Sequence, residues 1–182
     1  VLLLGGDCTV ELGTVAGALR GGSSVGLIYI DLDVDLNAPE ASDGALDWTG
    51  VAHLLDLPRA APELTALGPR RPMVRPADIL FFAADNITPG EAETMRAYDL
   101  ACFGLADVKA DCTGVADKAV AWAAQYERVH VHVDVDVVGY KHEKEEYIIE
   151  SITAQDLLKI IQAIPEGYRV VFNLFAIDGY SH

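Results

Sequence analysis

The sequence predicts an α/β fold in which a mostly parallel sheet is covered by helices on both faces. Apolar strand-like runs recur along the chain, each is followed by a stretch long enough for a helix to cross back, and the first strand passes through a glycine turn straight into helical periodicity. Val1–Leu4 reads as a short buried strand, Gly5-Gly6-Asp7 as the turn, and Thr9–Leu19 as a helix that closes at Gly21-Gly22. Val25–Ile30 is the next strand and Ala45–Leu55 a helix. Ile79–Ala84 is another strand, and Pro89–Tyr98 a helix with proline at its start. Leu100–Leu105 follows as an apolar segment, then the alanine-rich helix Thr113–Ala124, the β-branched strand Val129–Val135, the helix Thr153–Ile164 and the strand Tyr168–Ile177. Asp56–Pro76 is a proline-rich, linker-like loop. Lys141–Glu150 is a charge run that reads as a solvated loop or a lid.

Composition bounds the function. The 182 residues are 51% hydrophobic and 23% charged, a balance that excludes a disordered chain, a collagen, a coiled coil and a disulfide scaffold and suits one globular domain. The 28 acidic residues against 13 basic ones give a net charge of −15, so nucleic acid and anionic membrane surfaces are not expected partners. Such acidity favours cationic ligands, whether metal ions or amine and guanidine compounds, unless it serves solubility alone. No apolar run approaches the ~20 residues of a membrane span, and the cytoplasm is the expected location. Cys8, Cys102 and Cys112 fit neither a zinc ribbon nor a redox pair, so reduced thiols are expected.

Chemistry concentrates at strand ends. Asp31, Asp33 and Asp35 occupy alternate positions where Val25–Ile30 ends, and Asp134 and Asp136 repeat the spacing at the end of Val129–Val135. Alternation puts such carboxylates on one side, about 7 Å apart in an extended strand, where they repel unless protons, solvent or a cation intervene. In parallel sheets ligands bind beyond the carboxyl ends of the strands, and converging oxygen donors there form a site for divalent ions. Gly5-Gly6-Asp7-Cys8 supplies a third strand end. Asp7 caps the following helix or joins the chemistry, and Cys8 is a small buried hydrophobe or turns its sulfur into the crevice. His130 and His132 share one face of their strand, either as core histidines or, for His132, as a donor that orients Asp134.

The segments GGDC, DLDVDLN and HVDVDVV, in this order, resemble the metal-binding signatures of the arginase/agmatinase (ureohydrolase) family, where they read GGDH, DAHxD and SxDxD. The resemblance implies a three-layer α/β/α sandwich of the arginase/deacetylase-like kind, one domain over residues 1–182 that lacks an amino-terminal portion, and a homo-oligomer. It also implies a two-manganese cluster that delivers hydroxide to a guanidinium carbon, releasing urea and an amine. Carried over by position, the metal set is Cys8, Asp31, Asp33, Asp35, Asp134 and Asp136, with Asp33 and Asp134 expected to act in catalysis. On the substrate side Asn37 belongs to a loosely matching segment, Asp47 or Trp48 takes the place of a family histidine, and Asp178 is the acid nearest to a family glutamate. Trp48 stacks on a planar cation or simply packs.

Cys8 and Asp33 stand where the family has histidines, and His132 stands where it has serine. Five carboxylates with a thiolate outweigh two divalent ions, which weakens the Lewis acid and raises the pKa of bound water. A sulfur donor also shifts preference from Mn²⁺ toward Zn²⁺ or Fe²⁺. The expected function is therefore a metal-dependent hydrolase acting on a small guanidino substrate. The rivals are a catalytically inactive relative kept as a metal-binding or partner-binding module, and a phosphotransferase using Asp31 and Asp33 as its nucleophile pair.

Overall fold

A computed structural model describes residues 2–42, 45–134 and 172–175. Among these, six strands form one parallel sheet: β1 (Leu2–Gly5), β2 (Val25–Ile30), β3 (Ile79–Ala84), β4 (Ala101–Gly104), β5 (Arg128–Val133) and β6 (Phe172–Phe175), in the spatial order β1-β6-β5-β2-β3-β4. The helices are α1 (Val10–Arg20), α2 (Gly50–Leu54), α3 (Pro62–Thr65), α4 (Pro89–Ala97), α5 (Leu105–Ala110) and α6 (Cys112–Ala123).

Every residue of β2 and β3 is buried, which is why both strands are written as unbroken apolar runs. Alternation divides their side chains between two cores. Leu27, Tyr29, Ile79 and Phe81 pack with Leu12, Val15 and Leu19 of α1 and with Val51 and Leu54 of α2. Ile28, Ile30, Leu80 and Phe82 face the other way, against Leu105 and Val108 of α5 and Val115, Ala116 and Ala119 of α6. The result is the expected three-layer α/β/α arrangement. Burying a side chain such as Phe81 or Phe82 contributes about 1.5–3 kcal/mol, so the two apolar faces together fix the sheet between its helical layers.

Chain order places the crevice. From β1 at one edge the chain enters β2 in the sheet interior, moves outward through β3 to β4, then returns to lay β5 on the opposite side of β2 and β6 beyond it. The direction of winding therefore reverses between β5 and β2, and a cleft opens at their carboxyl ends. The register pairs Ile30 with Val133, so Asp31 and Asp134 leave the sheet side by side.

Local differences from the sequence reading have physical causes. The expected helix Ala45–Leu55 is a 3₁₀ turn at Asp47–Thr49 followed by α2, interrupted at Trp48, whose φ/ψ of −86°/21° is not helical. Asp56–Pro76 contains the short helix α3 beginning at Pro62. The single helix expected over Thr113–Ala124 is preceded by α5, and the break between α5 and α6 falls at Asp111, whose carboxylate accepts the Gly114 amide at 2.9 Å and starts α6. Lys141–Glu150 and Thr153–Ile164 lie outside the described residues, as do the ends of Tyr168–Ile177 around β6.

Gly26 in β2 is required by close approach. A Cβ there would lie 2.4 Å from Cδ2 of Tyr126, whose ring is tethered by its hydroxyl donating to the Ala77 carbonyl at 2.9 Å. Gly26→Ala is expected to cost about 1–3 kcal/mol, read as a lower midpoint in urea unfolding at unchanged slope.

Candidate metal centre at the strand ends

Two sheet-continuing bonds aim the acids. The Asp31 amide donates to the Phe82 carbonyl at 3.2 Å and the Asp134 amide to the Ile30 carbonyl at 2.9 Å, so each aspartate is fixed one residue beyond its strand. Cys8, in the loop after β1, points its sulfur between them. Its Sγ lies 3.3 Å from Asp134 Oδ2 and 3.7 Å from Asp31 Oδ2, while its amide donates to Asp47 Oδ1 at 3.2 Å. The sequence expectation that Cys8, Asp31 and Asp134 share a crevice matches this geometry.

The expectation that alternation aligns Asp31, Asp33 and Asp35 does not survive, because the strand ends at Ile30. Asp31 Oδ1 accepts the Asp33 amide at 2.9 Å, folding the chain into a turn that cancels the two-residue period. Asp33 is thereby directed to Asn86, whose Nδ2 donates to its Oδ1 at 2.7 Å. Asp35 adopts a left-handed backbone, φ 47°, and its buried carboxylate accepts the Tyr29 hydroxyl. Asp136 and Asp178 lie outside the described residues.

The face of β5 opposite the α5–α6 core brings in a residue that motif reading did not count among the ligands. His132 stacks on Tyr29, with ring centroids 4.2 Å apart and planes 7° from parallel, its register partner across β2. Its Nε2 lies 3.6 Å from Asp31 Oδ2, and its Nδ1 lies 3.3 Å from Oε2 of Glu11, a buried acid of α1. Cys8, Asp31 and His132 form a fully buried group whose ligand atoms all lie within 4.8 Å of one another, and sulfur, oxygen and nitrogen donors at such separations suit a divalent cation. The signal for His132 and Glu11 was present only as polar residues in apolar periodic segments. His130, its neighbour on the same face, is a buried core residue, and burial lowers its imidazole to a pKa of about 4.

The substrate-side expectations separate. Trp48 is 53% exposed on the 3₁₀ turn that also carries Asp47. Asn37 donates its side-chain amide to Glu91 Oε1 at 2.9 Å, and Glu91 closes the capping box of α4 through the Thr88 amide and hydroxyl. Asn37 thus ties the loop after β2 to α4. Asp7 accepts the Thr9 amide at 2.8 Å, and the Val10 amide bonds the Asp7 main-chain carbonyl, so Asp7 organises the start of α1.

Electrostatics in the crevice are dominated by burial. Desolvation, then the surrounding carboxylates of Asp35, Asp31, Asp134 and Asp47, push the Cys8 thiol far above its ordinary value. Burial likewise raises Asp35 well above the carboxylate range and Asp33 to about 6. Glu11 rises to about 7, again chiefly through burial, with His132 opposing the shift. Without a cation the crevice holds protons; a bound cation would replace them.

A parallel α/β/α sandwich with such a strand-order reversal belongs, as a class, with the open α/β folds that bind ligands in the crevice beyond their strand ends. The arginase family model matches residues 1–142, and the chain belongs to the arginase family. It is 29% identical over 143 residues to an arginase of Brevibacillus brevis, a match covering 74% of this chain and 46% of that protein. Human arginase-1 is 25% identical over 141 residues, covering 76% and 44%. The chain spans about half the length of these curated relatives. In fold it is similar to the arginase of Bacillus subtilis, with TM-score 0.86 at 19% identity over 100% of this chain and 65% of that one. The Entamoeba histolytica arginase solved with L-ornithine gives TM-score 0.83 at 22% identity, covering 96% and 61%. Among the described residues no helix is long and apolar enough to cross a membrane.

The raised carboxyls set a pH dependence for the cation-free protein. A group whose folded pKa lies above its unfolded value binds more protons when folded, so its stabilisation is complete below the unfolded pKa and is lost as pH rises through the folded one. Glu11 and Asp33, at about 7 and about 6 against 4.5 and 3.8, place that loss between weakly acidic and neutral pH, and His130, lowered from 6.5 to about 4, offsets only part of it. Chelator-treated protein is expected to unfold at higher urea near about pH 5 than near about pH 7.5, with a flatter profile in Glu11→Gln. A midpoint that climbs across this range would contradict the assignment.

Proposed function

We propose that the chain is a metal-dependent hydrolase of the ureohydrolase type, acting on the carbon–nitrogen bond of a small guanidino substrate. The observation that carries the reading is the convergence of Cys8, Asp31 and Asp134 in one crevice at the strand-order reversal of an arginase-family fold. Cys8, Asp31 and Asp134 would hold the cation, and the family pattern adds Asp35 and Asp136. A divalent ion bound there supplies Lewis acidity for the attack of water on a guanidinium carbon. The resemblance indicates Mn²⁺, and the sulfur of Cys8 favours Zn²⁺ or Fe²⁺.

The residues themselves account for the rest. The negative charge of the crevice attracts a guanidinium, and the exposed indole of Trp48, on the same turn as Asp47, offers a face for a planar cation. Asp33, whose carboxyl burial brings to about 6, is suited to take a proton from water and pass it to the leaving nitrogen near neutral pH. Its bond from Asn86 fixes the carboxylate for that transfer. Hydrolysis consumes one water, breaks one C–N bond and leaves urea and an amine when the substrate is a monosubstituted guanidine. Asp178 is proposed on the substrate side from the family pattern alone.

A second reading is favoured by one feature of the chain: both histidines of the family's metal pattern are replaced, by Cys8 and Asp33. A silent relative would bind a cation and release no urea. Incubation with Mn²⁺, Zn²⁺ or Fe²⁺ and a panel of guanidino compounds including arginine and agmatine separates the two. The hydrolase reading expects urea above background that falls about 100-fold or more in Asp134→Ala, since even outer partners of metal ligands cost 10–100-fold. Tight cation binding with no urea from any pair selects the silent relative. Restoring both family residues, Cys8→His with Asp33→His, is expected to raise Mn²⁺ affinity, and unchanged affinity would remove these positions from the site.

A further inference from the structure

We infer that Cys8, Asp31 and His132, with Asp134 at the rim, form a single site for a borderline-soft divalent cation, in which His132 supplies the imidazole and Glu11 holds that imidazole in place. This deepens the metal-dependent reading and rests on it, but it commits to ligands that the family pattern does not contain. Cys8 stands where that pattern has histidine and His132 where it has serine, and the fold brings the two substitutions to the same carboxylate.

Distances support one ion among these donors. A tetrahedral cation of zinc size, with bonds of about 2.0–2.3 Å, sets its ligand atoms about 3.3–3.8 Å apart. Within the group of Cys8, Asp31 and His132, whose ligand atoms all lie within 4.8 Å of one another, the edges are 3.7 Å from Cys8 Sγ to Asp31 Oδ2 and 3.6 Å from His132 Nε2 to Asp31 Oδ2, while Asp134 reaches the group through Cys8, its Oδ2 3.3 Å from Sγ. Three of the four donors are fully buried, so the site is built into the fold and not assembled from surface side chains. Among the described residues Asp33 accepts the Asn86 amide and Asp35 accepts the Tyr29 hydroxyl, and neither is part of the Cys8, Asp31 and His132 group.

The outer partners also fit. A ligating imidazole commonly donates its second nitrogen to a carboxylate, which fixes the tautomer and strengthens the ligand. Glu11 Oε2 lies 3.3 Å from His132 Nδ1, on the opposite edge of the ring from Asp31, and the parallel Tyr29 ring sets the imidazole plane. Glu11 is thus a positioning residue: it acts on the cation through His132. The mixture of thiolate, imidazole and carboxylate favours Zn²⁺ and Co²⁺ over Mn²⁺.

Co²⁺ is the probe, added to the chelator-treated full chain without substrate. The expected result is one ion per chain, an ultraviolet thiolate-to-cobalt charge-transfer band, and intense visible bands of a tetrahedral site, with Zn²⁺ displacing Co²⁺ and Mn²⁺ failing to do so. Cys8→Ser should lose the charge-transfer band, and His132→Ala should weaken Co²⁺ binding about 100-fold or more. Glu11→Gln should weaken it by about 10–100-fold with the sulfur band retained. If Cys8→Ser does not fold by circular dichroism, the wild-type spectrum and the Glu11→Gln titration decide. A wild-type spectrum without the sulfur band, two Mn²⁺ ions bound more tightly than Zn²⁺, or unchanged affinity in His132→Ala would overturn the assignment. The spectrum is independent of urea release, so a silent enzyme with the sulfur band upholds this site, and an active enzyme lacking the band refutes it.

Discussion

Carboxylates gathered in a buried cleft cannot all remain ionised without positive charge beside them. Removing an ionised acid from water is costly, and each neighbouring anion adds to the cost, so the crevice beyond β2 and β5 must be filled by protons or by a cation. The shifts at Cys8, Asp35, Glu11 and Asp33 all express this, with burial as the largest cause in each. The surrounding structure exists in spite of that repulsion. It is held by two apolar cores that do not involve the acids, so the fold stores the acidic site on a scaffold whose stability comes from elsewhere.

The same scaffold explains how an arginase-family chain departs from the family's metal pattern without dispersing its donors. A cysteine at the end of the first strand loop and a histidine inside β5 are far apart in sequence, yet both meet Asp31 because β2 lies next to β5 and the loop after β1 folds over their ends. A thiol in place of an imidazole would change which cation is preferred more readily than where a cation would sit. The burial of Glu11 in α1 is consistent with that shift: an acid at an inward helical position is tolerated when an imidazole faces it.

The strands and the positions of Cys8, Asp31 and Asp134 were legible because the relevant signals are local. Apolar runs mark β2 and β3, and an acid directly after such a run marks a carboxyl end. Elsewhere local rules compete. The two-residue period does not continue beyond Ile30, because the Asp31 side chain captures the Asp33 amide and turns the backbone, giving Asp33 the Asn86 amide and Asp35 the Tyr29 hydroxyl as partners. Over Ala45–Leu55 helical periodicity is interrupted at Trp48, whose indole is exposed. The bond from Asn37 to Glu91, a partner 54 residues away, is one that no spacing rule indicates.

Sequence alone determined the alternation of strands and helices, the acidity of the strand ends and the family, because hydrophobic period, turn chemistry and motif order are properties of neighbouring residues. The tertiary structure decided which strand ends are neighbours. Cys8 and Asp134 are 126 residues apart, and only the reversal of winding between β5 and β2 brings sulfur and carboxylate within 3.3 Å. It also decided that His132 faces Asp31 and Glu11, since the face a strand residue presents is fixed by what packs on the sheet, and that packing is summed over the whole chain.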